Sequence, residues 1–166
     1  MFAVGSLVLY GIHGVCKITR EEQRTVDRKQ ISYLVLEPLD SSGSQFLVPS
    51  HNENALSKLR PILTKQELME LLHSEAVHED AWTDDENLRK QRYRELISGS
   101  DRATLLQMVC SLHHHKKMIL DNGRKFHLCD ENFLKDAERI LNAEFSVVLE
   151  LPRNQVIQFV LDEMSK

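Results

Sequence analysis

Residues 82–101 read WTDDENLRKQRYRELISGSD, and this segment divides the chain into two parts of different character. Before it, short runs of alternating apolar and polar residues predict strands. After it, apolar residues recur at the spacing of a helix. A strand-rich part followed by a helical part predicts the α+β class with two small domains, which 166 residues can supply. The segment is therefore expected to open the helical domain.

The middle of the segment, residues 87–97, is predicted to form a helix. Its apolar residues fall on one face and leave the cations for solvent or a ligand; they are Leu88, Tyr93, Leu96 and Ile97.

Residues that commonly end or begin helices stand at the end of the segment. Gly99 suits the left-handed position that commonly follows a helix. A new helix is then expected to begin at Ser100 or Asp101, since both residue types cap helices well.

Charge is distributed unevenly along the chain. The net charge is −4, yet residues 75–86 hold six acidic residues and no Lys or Arg, whereas residues 89–125 hold nine Lys or Arg against three acidic residues. A basic block inside an acidic chain indicates a local contact with a polyanion, although cations on a helix are also typical of a solvated face. The candidate phosphate contacts are Arg89, Lys90 and Arg92.

Trp82, the only tryptophan, fits two roles at the start of the predicted helix. It can be a packing anchor, because tryptophan is usually largely buried. It can also be a wedge against an unstacked base step in the minor groove of DNA. The acidic residues around it would repel phosphate unless they point away.

The first 63 residues carry the strand pattern. Strands are predicted over residues 2–10, 15–19, 31–37 and 45–48, with a fifth over 56–63, and residues 21–30 suit a loop or exposed strand ends. Several short strands with tight turns imply a small β-barrel, which pairs its own edges. We therefore predict a barrel domain over residues 1–63.

The remainder is predicted to be a helical bundle. Thr64 and Glu67 have the spacing of a capping box, so residues 64–86 are expected to hold a capped helix followed by an acidic linker. Residues 87–166 then form a compact bundle of about four helices. Within it, Asp130 is predicted to cap one long helix, and Pro152 stands where the last helix begins.

Several classes of protein receive no support from the sequence. The three cysteines are widely spaced, which indicates neither a disulfide framework nor a zinc knuckle. The apolar runs are far shorter than a membrane span, and the N-terminus lacks the features of a signal peptide. A cytoplasmic protein without membrane contact is expected.

The run His113, His114, His115 is the most conspicuous cluster of titratable side chains. Adjacent residues on a helix point about 100° apart, so these three cannot converge on one metal ion by themselves. No metal or cofactor is therefore expected. Because no nucleophile motif is present either, a non-enzyme is predicted, and an enzyme using this cluster is the least favoured alternative.

Motifs spread over nearly the whole chain resemble the CarD/CdnL family of bacterial transcription regulators. They are VGSLVLY at residues 4–10, HGV at 13–15, YLVL at 33–36, VP at 48–49, LR at 59–60, and the segment from Trp82 to Ser98 and Gly99. The resemblance implies a Tudor-like or SH3-like β-barrel, shared with transcription-repair coupling factors, that binds the RNA polymerase β subunit. It also implies a helical domain that contacts promoter DNA at the upstream edge of the transcription bubble and stabilises the open complex.

The resemblance also implies roles for particular residues. Arg24 falls where the family has a basic residue that faces polymerase, and Leu47 stands where members often carry an arginine. Trp82 is similar to the wedge tryptophan of the family, although it lies about one helical turn earlier relative to Ser98 and Gly99. Arg89, Lys90 and Arg92 correspond to DNA contacts.

The resulting hypothesis is a monomeric transcription regulator without enzymatic activity, whose partners are RNA polymerase and promoter DNA. Little sequence specificity is expected, because cations on phosphates read no bases. The alternative from another class is a protein-interaction adapter, in which the barrel has a different partner and the helical bundle is a second docking surface.

Overall fold

A computed structural model describes residues 2–40, 43–99 and 101–166 of the chain. The chain divides into two units, the first ending at Ile62 and the second beginning at Leu63. Antiparallel strands build the first unit and helices build the second, so the predicted α+β class with two domains is confirmed. No helix in the described ranges is long and apolar enough to cross a membrane.

The N-terminal unit, here the β unit, contains a five-stranded antiparallel sheet with the order β4-β3-β2-β1-β5. Its strands are β1 Leu7–Tyr10, β2 Val15–Val26, β3 Lys29–Pro38, β4 Phe46–Pro49 and β5 Leu59–Pro61. The sheet thus places the fifth strand beside the first, and β4 and β5 at its two ends.

The β2–β3 hairpin is longer than the sequence pattern predicts. The ladder continues through most of residues 21–30, as far as the pair Val26 and Lys29, across a segment expected to be a loop or strand ends. Asp27 and Arg28 make the turn with φ of 49° and 64°, the positive values that a two-residue hairpin of this hand requires. Polar residues here continue as strand because the partner strand supplies the backbone hydrogen bonds.

One face of the sheet carries the core of the β unit. Successive residues of a strand point to opposite faces, and the residues of this cluster share one face; they are Val8, Cys16, Ile18, Leu34, Leu36, Val48 and Leu59. A short helix, α1 Glu53–Leu56, precedes β5 and begins where Asn52 accepts a hydrogen bond from the Ala55 amide at 3.2 Å. The observed fifth strand is therefore shorter than the predicted one, which covered residues 56–63.

The C-terminal unit, here the helical unit, contains five α-helices in its described residues. They are α2 Lys65–Leu72, α3 Glu86–Gly99, α4 Arg102–Asp121, α5 Leu128–Leu149 and α6 Arg153–Met164. The capping box of α2 is confirmed: the Glu67 amide donates to Thr64 Oγ1 at 3.1 Å and the Thr64 amide donates to Glu67 Oε2 at 2.8 Å.

The segment between α2 and α3 is part of the helical unit. Leu68 and Leu72 of α2, together with Val77, are fully buried in the same core as the long helices. The Ala81 amide is also buried and donates to Ser111 Oγ of α4 at 2.8 Å. Residues 64–86 thus pack against the bundle, although the acidic composition of their second half suggested a linker.

Three local expectations are corrected. Leu88 was expected on the buried face of α3 but is 58% exposed, while Arg89 is buried with 3% exposure. Gly99 is the last residue of α3 and its φ is not positive. Asp130 lies within the first turn of α5, whose N-cap is His127, and is buried. The first and third corrections share a cause, because Arg89 and Asp130 pair inside the unit.

The predicted start of α4 is partly confirmed. Asp101 is the N-cap, and its side chain accepts a hydrogen bond from the Thr104 amide at 3.1 Å. Ser100, the other candidate, lies outside the described residues. Pro152 occupies the N-cap of α6, one residue before the helix begins at Arg153.

Candidate functional sites

Arg24, the predicted polymerase contact, lies near the outer end of β2 opposite Ile31 of β3. Its side chain is 50% exposed, and its Nε donates to Glu22 Oε1 at 3.3 Å. Glu22 also contacts Arg20, with Nη2 of the arginine 3.5 Å from Oε2. A half-buried carboxylate therefore bridges two exposed arginines, leaving a local excess of one positive charge.

Leu47, the second predicted polymerase contact, belongs to the same side of the sheet. It lies opposite Val35 of β3, and Val35 lies opposite Arg20 of β2, so these three side chains point to one side. Arg20, Glu22 and Arg24 alternate along β2 and share that side as well. We call Arg20, Glu22, Arg24 and Leu47 the strand patch.

Arg20 was not identified from the sequence, although it lies in the cross-strand row of Leu47. A register shift of the ladder between Ile18 and Arg20 decides which side of the sheet Arg20 occupies. Simple alternation from Ile18 would have placed Arg20 on the core face. Arg20 thus adds a cation to the side of the sheet that Leu47 occupies.

Arg89, the first predicted DNA contact, is buried and makes its hydrogen bonds inside the helical unit. Its Nε and Nη2 donate to the two carboxylate oxygens of Asp130 at 2.9 and 2.8 Å, and its Nη1 donates to the Thr83 carbonyl at 2.9 Å. Hydrogen bonding to Asp130 raises the pKa of the guanidinium. A bidentate, buried arginine of this kind fixes α3 to α5, so Arg89 is corrected from a surface contact to an internal one.

Trp82 packs against the core of the helical unit and is partly buried. Its ring stacks on His115 of α4 with centroids 4.3 Å apart, and the Arg89 guanidinium carbon lies 4.0 Å from its ring centroid. Its Nε1 donates to Asp84 Oδ1 at 3.0 Å, and its amide donates to Asp80 Oδ1 at 3.0 Å. These are the contacts of a packing anchor, and a wedge would have to leave them.

Asp80 joins the backbone of Trp82 to α4. Its second carboxylate oxygen lies 3.1 Å from His115 Nε2. Burial by itself would raise the pKa of Asp80, but hydrogen bonds from His115, the Trp82 amide and Ser111 outweigh it and hold the pKa below its ordinary value. Acidic residues therefore stand at the tryptophan itself and do not point away.

The exposed side of α3 carries the other two predicted contacts. Lys90 is 29% exposed and its Nζ lies 3.0 Å from Glu86 Oε1 one turn earlier. Arg92 is exposed and lines a shallow hollow of about 330 Å³. The hollow is formed by Thr83, Leu88, Gln91, Arg92 and Glu95.

Ion pairs within the helical unit reduce the positive charge that the basic block offers to solvent. Arg102 donates to both carboxylate oxygens of the buried Glu144, each at 2.6 Å. Lys116 Nζ lies 2.8 Å from Glu131 Oε2. The exposed cations that remain include Arg92 and Arg94 on α3, and Lys117, Arg124 and Lys125 around the α4–α5 turn.

The histidine run does not converge on one point. His113 Nε2 lies 2.6 Å from Glu138 Oε1 of α5, whereas His115 faces Asp80 and Trp82. Within the described ranges, no group of three or more His, Cys, Asp or Glu side chains could hold a metal ion. The cysteines are free, and burial raises the pKa of the Cys16 and Cys110 thiols to about 11.

Comparison with protein families concerns the β unit. Residues 2–62 match the model of the CarD-like/TRCF RID domain. The β unit is therefore similar to the CarD-like/TRCF RID domain family. This is an RNA polymerase-interacting family, and the resemblance predicted from the sequence is confirmed for this unit. The match ends where the helical unit begins, and no curated protein matches the chain.

Proposed function

We propose that this protein is a transcription regulator without enzymatic activity that binds RNA polymerase through its RID domain and promoter DNA through its helical unit. The observation that carries the proposal is the family match over residues 2–62. Acting in the cytoplasm as a monomer, it would bind the polymerase β subunit and the upstream edge of the bubble at once.

The strand patch is the proposed polymerase contact. Arg20 and Arg24 present two exposed guanidinium groups on one side of the sheet, and Leu47 adds an apolar side chain in the row of Arg20. Exposed charge mainly guides association and orientation, whereas a buried apolar contact holds the complex. Glu22 would tune the patch, because it neutralises part of the charge of both arginines.

Helix α3 is the proposed DNA contact, through Lys90 and Arg92. Both are long cationic side chains with access to solvent, suited to phosphate oxygens. Arg89 supports the surface from inside by fixing the helix to Asp130. Binding of this kind depends on salt and reads little sequence.

The proposed effect on transcription is thermodynamic. A protein that binds polymerase alone would favour no state of the promoter. One that also contacts DNA present only at an open bubble edge shifts the equilibrium toward the open complex, by no more than its difference in affinity for the two states.

An adapter remains the second candidate, and the internal pairing of the basic block favours it. Arg89, Arg102 and Lys116 are all engaged with carboxylates of α5. The cationic excess in the sequence is therefore larger than the excess on the surface. In this reading the helical unit would bind a protein rather than DNA.

The experiment is capture of the full-length protein by RNA polymerase and by its isolated β subunit. Arg24→Glu and Arg20→Glu are expected to weaken capture, and Lys58→Glu is the matched control, because Lys58 is an exposed cation of the same unit outside the strand patch. Equal capture of all three variants would place the contact elsewhere. No capture of the wild type would favour the adapter with another partner.

A further inference from the structure

Two adjacent residues of helix α3 show the reverse of the usual burial, because the charged residue is buried and the apolar residue is exposed. Arg89 is buried with its guanidinium on Asp130, while the neighbouring Leu88 is 58% exposed. Burying a charged pair removes two ions from water, and such a pair rarely stabilises a fold more than well-packed apolar residues would. Exposing a leucine forgoes the stabilisation that its burial would give. The arrangement therefore leaves an apolar side chain on the surface where the simpler alternative would have buried it.

The neighbours of Leu88 suit a nucleic acid. Gln91 and Arg92 follow it by three and four residues, which places all three side chains on one face of the helix. They line the same shallow hollow, and Arg92 is exposed at its side. Proteins that bind the minor groove use apolar tips to unstack a base step and cations beside them to bind within the groove.

Trp82 is less available for that task than Leu88. Its indole N–H is donated to Asp84, its ring stacks on His115, and the Arg89 guanidinium lies against the ring. Insertion of Trp82 into DNA would break these contacts and bring Asp84 toward phosphate. Insertion of Leu88 would break no polar contact.

The acidic groups near Leu88 are engaged in hydrogen bonds or ion pairs, which reduces their repulsion of phosphate. Glu86 is paired with Lys90, and Glu95, at the edge of the hollow, accepts a hydrogen bond from Gln91 at 3.4 Å. Asp85 is engaged with the Asn87 and Leu88 amides at the start of the helix. Arg92 and Arg94 supply the exposed positive charge of the helix.

We propose that Leu88, rather than Trp82, is the side chain that wedges into the base step at the upstream bubble edge, with Arg92 in the adjoining minor groove. The inference rests on the proposed function and assigns its DNA contact. Trp82 is a positioning residue that holds the start of α3 against α4.

The test measures the lifetime of open complexes formed by RNA polymerase on a promoter that carries a fluorescent base analogue at the upstream edge. Truncating a leucine that is buried on binding is expected to shorten the extra lifetime by about tenfold. Leu88→Ala should therefore lose most of the effect and most of the change in fluorescence. Leu88→Met, which keeps an apolar tip, should retain most of both.

Three controls separate this inference from its alternatives. Leu120→Ala removes a leucine that is 50% exposed on α4 and should behave as the wild type. Trp82→Phe keeps an aromatic ring in place and should lose less than Leu88→Ala. Glu95→Gln should strengthen binding by removing a negative charge from the hollow.

The outcomes distinguish the inference from the function on which it rests. If the wild type prolongs the open complex and Leu88→Ala does so equally, the wedge is not Leu88 and only the inference fails. A larger loss in Trp82→Phe than in Leu88→Ala, with both variants folded by circular dichroism, also overturns it. If the wild type is captured by polymerase yet never prolongs the complex, the DNA role and the inference fail together.

Discussion

The cores of the two units contain different kinds of side chain. The buried cluster of the β unit is apolar, with Ile18 and Leu36 fully buried at its centre. Among the described residues, the buried polar and charged side chains all belong to the helical unit; they are Arg89, Ser111, Asp130 and Glu144. The apolar residues of the β core can be recognised in the sequence as short strand-forming runs, whereas buried charged side chains do not follow any hydrophobic pattern.

The buried ion pairs set the positions of segments within the helical unit. Arg89 joins α3 to α5 through Asp130, and Arg102 joins α4 to α5 through Glu144. Glu144 Oε2 also accepts the amide of Leu63, the first residue of the unit, at 3.0 Å. Charged pairs demand one geometry, so they specify which face of α3 reaches solvent.

Breaking the Arg89 pair should have the largest effect. Asp130→Ala leaves a buried guanidinium without its carboxylate, and the helical unit should lose about 3–5 kcal/mol of stability. Chemical denaturation followed by Trp82 fluorescence measures this, because the only tryptophan lies in the helical unit. The double variant Arg89→Met, Asp130→Leu should recover most of the loss. A loss as large in the double variant would show that the pair is not the cause.

Removing one methyl group from the β core should have a smaller effect. Ile18→Val is expected to cost about 1 kcal/mol, because a small cavity replaces one buried methyl group. Hydrogen exchange of the β2 and β3 amides reports this loss within the β unit. Val26→Ala, at an exposed position of the same hairpin, is the control and should change exchange little. Equal effects at both positions would contradict the assignment of the core face.

Acid should loosen the contacts that the Asp80 carboxylate makes with His115 and with the Trp82 amide. The pKa of Asp80 is lower in the folded protein than its ordinary value of 3.8. Its ionised form therefore stabilises the fold above that value, and the contribution is lost as the pH falls through the lowered pKa. Trp82 emission should show a step in this acid range that Asp80→Asn lacks. The same step in Asp80→Asn would assign it to another group.

Lys90→Ala should have the smallest effect on stability, because its pair with Glu86 is exposed to solvent. The unfolding midpoint should not change measurably. Affinity for promoter DNA should fall, and the slope of log affinity against log salt should become shallower by about one, as expected for one lost phosphate contact. Lys65→Ala on α2 is the control of the same type. An unchanged salt slope for Lys90→Ala would remove Lys90 from the DNA surface.

The sequence predicts the β unit better than the face of α3. The β-branched and aromatic residues of 31–37 and the capping box at Thr64 are local signals, and the strand and the capping box both appear in the structure as expected. The burial of Arg89 could not be predicted, because it depends on Asp130, which is 41 residues away. Leu88 was assigned to the core for the same reason: periodicity assumes that apolar residues face inward.

Two further elements of the candidate sites could not be predicted from the sequence. The side of the sheet that Arg20 occupies depends on the register shift after Ile18, and no residue type in the sequence predicts that shift. The stack of Trp82 on His115 joins two segments that the sequence separates by a change in charge. Arg24, Leu47, Lys90 and Arg92 stay predictions as functional residues.

Simultaneous binding of polymerase and promoter DNA is tested most directly by the half-life of the open promoter complex with and without the protein. Wild type, Arg24→Glu, Arg92→Ala and the double variant would be compared at one salt concentration. If the protein binds polymerase and DNA together, the wild type should lengthen the half-life, each single variant should weaken the effect, and the double variant should abolish it. A half-life that the wild type leaves unchanged, or that the double variant still lengthens, would contradict simultaneous binding of polymerase and DNA.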